Sequence, residues 1–364
     1  MEWCAKAIHG RRLLLVVFLL VGRARAAAAG ALVPAMFIFG DSLVDVGNNN
    51  YLLTLAKANV APYGIDSPWG ATGRFCNGKT VLDVVCELIG LPYVPAFLDP
   101  STKNARILKG VNYASGAGGI LDESGKNYIE RISMSQQLHY FQQTLSGLVQ
   151  QLGSSGCEQL LSDSLFAIVI GNNDYINNYL LPDSATRFRY SERQFQDLLL
   201  AAYAQHLTEL YRLGARRMVV ASLGPLGCIP SQLAQKSSDG ACVDSVNQLM
   251  LGFNLGLQDM LASLRSLLPG ARIVYADTYT PVAAMVATPG AYGMESVNRG
   301  CCGGGRFNGQ LPCFPRPISN MCSNRSNHLF WDPFHPTDAA NVILGHRLFQ
   351  ALKSSFGIGS GSGG

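Results

Sequence analysis

Short, continuous apolar runs alternate along the chain with longer segments in which apolar residues recur at helical spacing. The runs are rich in β-branched and aromatic residues, and each ends at or just before a glycine, aspartate or serine. Strands buried on both faces of a parallel sheet have this composition, whereas half-buried strands alternate apolar and polar residues. The pattern therefore predicts strands at residues 35–39, 110–114, 165–170, 217–222 and 272–276.

The segments between these runs predict helices. Ser191 precedes one of them and Gln194 stands three residues later, which is a capping-box pattern, and Gly214 suits the end of the same helix. Ser135 is a candidate cap for an earlier helix. The predicted helices cover residues 80–89, 135–152, 191–213, 244–268 and 338–352. Strands and helices in this alternating order predict an α/β/α sandwich around a parallel sheet.

The sequence of 364 residues predicts one domain between two terminal segments. Basic residues precede the apolar run of residues 13–21, and an alanine-rich stretch follows it, so residues 1–28 predict a secretory signal peptide with cleavage near residues 26–29. The alternative is a membrane anchor, but a bilayer span needs about 20 apolar residues. No linker divides residues 33–356, which predict a single domain, and residues 357–364 predict a flexible tail.

Charge excludes several kinds of partner. The net charge of the chain is +4, and residues 1–26 alone carry five basic residues and one acidic residue. The remainder is therefore formally neutral, with no basic patch to attract nucleic acid or an anionic membrane surface.

Cysteine usage agrees with secretion. Nine cysteines remain beyond the predicted signal, and four of them crowd into residues 301–322. In an oxidising compartment this predicts disulfides in a loop-rich C-terminal region, with at least one cysteine unpaired. Zinc is the alternative, but these cysteines form no C-x-x-C pair and no histidine stands at ligand spacing. The sequon at Asn324 predicts a glycosylation site in a secreted chain.

Polar and glycine-rich motifs follow the predicted strands. In a parallel sheet, ligands bind beyond the carboxyl ends of the strands. The motifs are Gly40-Asp41-Ser42, the loop SGAGG of residues 115–119, GNND of residues 171–174, LGPLGC of residues 223–228, and WDPFHP of residues 331–336 before the last helix. Each alone has an ordinary interpretation as a turn or a helix cap. SGAGG also lacks the lysine and the spacing of a phosphate-binding loop.

Together these motifs supply the groups that ester hydrolysis needs. Ser42 at a strand end is a candidate nucleophile, His335 a candidate base, and Asp332 can orient the imidazole. The backbone N–H of Ser42, the side-chain amide of Asn172 and a glycine N–H of the SGAGG loop are candidate donors to the oxyanion. No G-x-S-x-G elbow occurs in the sequence, which disfavours the usual α/β-hydrolase fold. Asp41, beside the serine, is interpreted as holding the turn.

The ordered motifs resemble those of plant GDSL esterase/lipases, a branch of the SGNH hydrolases, over residues 34–356. FIFGDSLVDVGNNN is similar to the first motif of that family, GVNYASGAGGIL to the second, VIGNNDY to the third and FWDPFHPTDAAN to the fifth. TGRFCNGK of residues 72–79 and LGPLGCIP of residues 223–230 are also typical of the plant branch.

The resemblance implies a flavodoxin-like three-layer α/β/α fold with a five-stranded parallel sheet and no metal or cofactor. It implies Ser42, Asp332 and His335 as the catalytic triad, and Ser42, Asn172 and a glycine of the second motif as the oxyanion hole. Gly116 and Gly118 are the alternatives for that glycine, and we favour Gly118 because it lies further out along the loop.

The expected activity is hydrolysis of acyl esters, either small or polymer-linked, by a secreted enzyme of the apoplast or cell wall. A lipid or wall surface is an expected partner, and nucleic acid is not. Two other functions fit the same residues. An acyltransferase would use the same triad and differ only in the hydroxyl that receives the acyl group. A non-catalytic extracellular binding protein would share the fold, but the complete set of Ser42, Asn172, Asp332 and His335 argues against it.

Overall fold

A computed structural model describes residues 31–315 and 319–358. The predicted signal peptide and residues 359–364 of the predicted tail lie outside this range. Gly357 ends the last helix with a φ of 67°. Ile358 is buried in an apolar cluster that also contains Leu352 and Phe356.

Four parallel strands form the central sheet, in the same order as along the chain: β1 Met36–Gly40, β2 Leu165–Val169, β3 Arg217–Ala221 and β4 Arg272–Ala276. All five residues of β1 and of β2 are buried, as the continuous apolar runs predicted. The predicted fold class, an α/β fold with a parallel sheet and helices on both faces, is confirmed.

The strand count differs from the prediction, because residues 110–114 form an isolated bridge rather than a fifth strand. Asn112 bridges to Ile38 of β1 in the parallel sense, and the N–H of Tyr113 donates to the carbonyl of Ile38 at 2.8 Å. The ladder continues only in part: the N–H of Ser115 donates to the carbonyl of Gly40 at 3.1 Å, but Gln137 accepts the N–H of Gly40 at 2.8 Å. The segment nevertheless lies beside β1 on the side away from β2.

Helices cover both faces of the sheet. The helices of the described residues are α1 Val81–Ile89, α2 Met134–Asp163, α3 Asn172–Asp174, α4 Ala185–Arg189, α5 Glu192–Arg212, α6 Pro230–Lys236, α7 Asp244–Leu267, α8 Tyr279–Ala287 and α9 Asp338–Phe356. Phe37 and Phe166 face one side, where α2, α5 and α7 pack. Ile38 and Ala167 face the other side, where α1 and α9 pack. Side chains of the strands alternate between the two faces of the sheet, so each face packs against helices in its own apolar cluster. The result is three layers, with the sheet between two layers of helices.

The helix ends follow local capping chemistry. Ser191 and Gln194 form the predicted capping box at the start of α5. The prediction for α2 was wrong at both ends. Ser133, not Ser135, occupies the N-cap position, and the helix continues to Asp163 through a kink where Gly153 has a φ of 70°. Glycine tolerates this left-handed conformation, so the chain continues past a break that the apolar pattern cannot reveal.

The C-terminal region is stapled by disulfides, as predicted. Within the described residues the disulfides are Cys301–Cys322, Cys302–Cys313 and Cys228–Cys242, while Cys76, Cys86 and Cys157 are buried thiols. The first two lie among short strands, of which β5 Ser296–Gly300 pairs with β8 His328–Phe330 and β6 Cys302–Gly303 pairs with β7 Asn320–Met321. These strands carry the chain to the start of α9.

Among the described residues, none of the helices combines the length and the apolar character that a bilayer span requires.

Candidate active site

The candidate site lies at the carboxyl ends of β1 and β2. Residues 110–114 lie on one side of β1 and β2 lies on the other, so the connections leave β1 in opposite directions. A crevice forms where the strand order reverses in this way, and ligands of open α/β sheets bind there. Ser42 follows β1 and Asn172 follows β2 at this edge.

A chain of hydrogen bonds joins Ser42, His335 and Asp332. The Nε2 atom of His335 lies 2.7 Å from Oγ of Ser42. The Nδ1 atom of the same imidazole lies 2.8 Å from each carboxylate oxygen of Asp332. Asp332 is 1% exposed and His335 7%, so water has little access to the bond between them. The three residues that the motifs singled out are therefore in direct contact.

The turn between β8 and α9 holds the imidazole and the carboxylate together. Oδ1 of Asp332 accepts the backbone N–H groups of Phe334 and His335, each at 2.8 Å. The N–H of Trp331 donates to the carbonyl of His335 at 2.7 Å and closes the loop. An aspartate that accepts N–H groups two and three residues later is a local motif. This short spacing fixes the carboxylate beside the ring.

Tyr63 is a further partner of Asp332 that sequence reasoning missed. Its hydroxyl donates to Oδ2 of the carboxylate at 2.8 Å, and burial raises the pKa of this phenol well above its usual value. The ring packs edge-on against Phe75 and Trp331, and Phe75 lies against the imidazole of His335 with the ring centroids 5.1 Å apart. No local signal marks Tyr63, because it is separated from Asp332 by 269 positions.

Asp41 connects the serine turn to Asn172. One carboxylate oxygen accepts the N–H of Leu43 at 3.0 Å, and the other accepts Nδ2 of Asn172 at 3.0 Å. Burial raises the pKa of Asp41 to about 6, although these donors act in the opposite direction. Asp41 holds the turn, as interpreted from the sequence, and it also fixes the Asn172 amide. That amide nitrogen has two protons, so one remains for a ligand.

Gln137 of α2 clamps the last residue of β1. Its side-chain oxygen accepts the N–H of Gly40, and its side-chain nitrogen donates to the carbonyl of Gly40, both at 2.8 Å. A Cβ on Gly40 would lie 2.6 Å from the carbonyl oxygen of Val169 and 2.5 Å from Val44, so only glycine fits. The clamp fixes the backbone two residues before Ser42. Sequence reasoning missed it because a buried glutamine on a helix face gives no distinctive pattern.

Both candidate glycines of the loop after residues 110–114 have their N–H groups engaged. The N–H of Gly116 donates to the Asp45 carboxylate at 3.1 Å, and the N–H of Gly118 donates to the carbonyl of Ser115 at 3.0 Å. The N–H of Ser42, by contrast, has no hydrogen-bond partner among the described residues. The geometry does not favour one glycine over the other.

Asp174 fastens the far end of the same loop to the turn after β2. It accepts the backbone N–H groups of Ile120 and Leu121 at 2.8 and 3.0 Å and the hydroxyl of Ser124 at 2.6 Å. Complete burial raises its pKa to about 6. Asn173 ties the loop a second time, since its side-chain nitrogen donates to the carbonyl of Gly118 at 2.9 Å. These hydrogen bonds thus tie the loop to the turn that carries Asn172.

The described residues contain no cluster of three or more histidine, cysteine, aspartate or glutamate side chains arranged to hold a metal ion. The three-layer α/β fold thus brings Ser42, His335 and Asp332 into contact at its strand ends. Residues 36–348 match the family model described as GDSL-like Lipase/Acylhydrolase. The chain belongs to this family and is a carboxylic ester hydrolase.

Similar proteins carry the same designation. Two proteins of Arabidopsis thaliana named GDSL esterase/lipase are 46% and 48% identical to this chain, each over 89% of it and over 83% and 87% of their own lengths. GDSL esterase/lipase 7 of the same plant is 44% identical over 88% of both chains. A crystal structure of a possible lipase from Chitinophaga pinensis covers 89% of this chain and 99% of its own, with 12% identity and a TM-score of 0.38, and the assignment does not depend on it.

Proposed function

We propose that the protein hydrolyses carboxylic esters through a Ser42–His335–Asp332 triad and an acyl-enzyme on Ser42. The observation that carries this proposal is the 2.7 Å contact between Nε2 of His335 and Oγ of Ser42. A nucleophile within hydrogen-bond distance of a base, with the base oriented by a third group, is the arrangement that activates a serine.

The reaction proceeds in two halves. His335 takes the proton of Ser42 as Oγ attacks the carbonyl carbon, and Asp332 stabilises the imidazolium that forms. When the tetrahedral intermediate collapses, His335 gives the proton to the leaving alcohol, and the acyl group remains on Ser42. Water then attacks the acyl-enzyme while His335 accepts its proton. The acid is released when Oγ recovers a proton from the imidazolium.

Three donors stabilise the oxyanion in this proposal. The N–H of Ser42 and the second proton of Asn172 Nδ2 are two of them, because neither is required by another contact in the site. The third is a glycine N–H of the loop, with Gly118 preferred and Gly116 the alternative. For Gly118 to donate, its N–H must leave the carbonyl of Ser115, and for Gly116, it must leave Asp45.

We also propose that the protein is secreted to the apoplast or cell wall and carries a glycan on Asn324. The disulfides of the C-terminal region support an oxidising compartment. Asn324 is exposed, which is compatible with a glycan there. Expression of the full chain in plant cells, followed by glycosidase treatment of the wild type and of Asn324→Gln, tests both points. Retention of the protein inside the cells would contradict secretion, and equal masses of the two proteins before treatment would contradict the glycan.

The catalytic proposal is tested with p-nitrophenyl acyl esters and the Ser42→Ala variant. We expect Ser42→Ala to lose measurable turnover and to resist labelling by a fluorophosphonate. Ser238→Ala is the matched control, because Ser238 is exposed and its removal changes the same chemical group elsewhere. Equal turnover by the wild type and Ser42→Ala would contradict the assignment of Ser42 as the nucleophile.

A further inference from the structure

A cavity of about 330 Å³ extends from Ser42 and His335 into the space between the sheet and α9. Ala167 of β2 and Val219 and Ala221 of β3 form one wall, and Leu344, Leu348 and Ala351 of α9 form the opposite wall. The positions on α9 recur at helical spacing along one face. From Asn341 to Ala351 this face is about 15 Å long, at 1.5 Å per residue. The cavity therefore extends along about three turns of α9.

Small side chains create this space. Alanine occupies positions 167, 221 and 276 of the strands and 351 of α9, where longer side chains would fill the gap between sheet and helix. A packed interior normally leaves few voids larger than a water molecule. A cavity of this size in a layer built for packing therefore indicates space kept for a ligand.

The walls suit a hydrocarbon chain better than a sugar or glycerol moiety. The charged residues Asp277 and Arg347 also line the cavity, but both are exposed. Less exposed polar side chains already have partners: Asn341 donates to the carbonyl of Lys79 at 2.8 Å, and the hydroxyls of Ser222 and Thr278 lie 3.1 Å apart. Hydroxyl groups of a substrate would lose water here without gaining hydrogen bonds, which is costly. An alkyl chain loses nothing and buries apolar surface.

We propose that this cavity binds the acyl chain of the substrate and that the enzyme acts on esters of unbranched, medium-length fatty acids rather than on acetylated polysaccharides. This inference rests on the proposed function, because Ser42 must hold the acyl group at the cavity's entrance. A methylene group is similar in size to water, which occupies about 30 Å³ in the liquid. The cavity therefore accommodates a chain of on the order of ten carbons.

The test is a series of p-nitrophenyl esters from acetate to decanoate, each below the concentration at which it aggregates. We expect kcat/KM of the wild type to rise by about fourfold for each added methylene until the cavity is full. Ala351→Leu fills the far end, so the ratio of decanoate to acetate kcat/KM should fall by about tenfold or more. Gln350→Leu is the matched control, since it adds leucine to an exposed position of the same helix and should leave the ratio unchanged.

The outcomes separate the inference from the function on which it rests. Ser42-dependent hydrolysis of acetate with no gain for longer chains would overturn the acyl cavity and leave the esterase proposal standing. An Ala351→Leu ratio equal to that of the wild type would overturn the cavity as well. Absence of hydrolysis of every ester, acetate included, would overturn the proposed function and the inference with it.

Discussion

Tyr63→Phe removes one hydrogen bond from the candidate triad and leaves its packing in place. The hydroxyl of Tyr63 is the only group other than His335 that reaches Oδ2 of Asp332 among the described residues, whereas Oδ1 keeps two backbone donors. The phenylalanine ring retains the contacts with Phe75 and Trp331. The variant therefore tests the hydroxyl alone.

The magnitude follows from the charge and burial of the pair. A hydrogen bond to a charged group contributes about 1.5–3 kcal/mol, and both partners are buried, Tyr63 at 5% and Asp332 at 1% exposure. We expect the free energy of unfolding to decrease by an amount within that range. Without Tyr63 the carboxylate turns more freely and holds the imidazole less firmly. If about half of the bond energy is lost from the transition state, kcat falls by about three- to twelvefold.

The assay is steady-state hydrolysis of a soluble p-nitrophenyl ester together with urea unfolding. KM should change little, because Tyr63 does not line the cavity that opens at Ser42. Tyr128→Phe is the matched control, since Tyr128 packs against the same cluster and its hydroxyl makes no hydrogen bond among the described residues. A Tyr63→Phe enzyme that loses stability but keeps the wild-type kcat would refute the positioning role. Equal losses of kcat in both variants would refute it too.

Three further predictions concern the groups that hold the site. Asn172→Ala should lower kcat on a soluble ester by about 10²–10³ with little change in KM; a kcat within tenfold of the wild type would contradict its role as an oxyanion donor. Gln137→Leu leaves the buried N–H of Gly40 without a partner and should lower the free energy of unfolding in urea by about 1–3 kcal/mol, whereas Gln136→Leu, at a half-buried neighbouring position, should not. Burial raises the pKa of Asp174 from 3.8 to about 6. Between these pH values the folded state therefore binds more protons than the unfolded state. The resulting contribution to stability is present below pH 4 and is lost as the pH rises through 6. Urea midpoints between pH 4 and pH 7 should therefore fall less with rising pH in Asp174→Asn than in the wild type, and parallel pH profiles would contradict this.

The sequence predicted the parts of the molecule that depend on local pattern. Continuous apolar runs identified all four strands of the sheet, because a strand buried on both faces consists mostly of apolar residues. Ser191 and Gln194 identified the start of α5, because capping needs only residues three positions apart. Placing Ser42 and Asn172 at one edge needed only the rule that parallel strands end together.

Features that depend on long-range contacts were not predictable from the sequence. Tyr63 and Asp332 meet across 269 positions, and Gln137 and Gly40 across 97. The same clamp explains why residues 110–114 form only a bridge beside β1, although their apolar composition predicts a strand. The kink at Gly153 was also missed, since a single glycine within a helical pattern has several interpretations. Apolar periodicity reports which residues are buried but does not report which buried polar groups meet.

Buried carboxylates tie the loops of this site to one another. Asp41, Asp45 and Asp174 are each completely buried, and desolvation raises the pKa of each to about 6. A charge in that environment is costly unless donors surround it, and here the donors are the backbone and side-chain N–H groups of the loops that follow β1, residues 110–114 and β2. Any movement of these loops away from the carboxylates would leave a buried charge with fewer partners. The unfavourable burial of three aspartates is thus what makes displacement of the Asn172 amide or the glycine loop unfavourable. It follows that substitutions at these aspartates should loosen the site even though none of the three is proposed to contact the substrate.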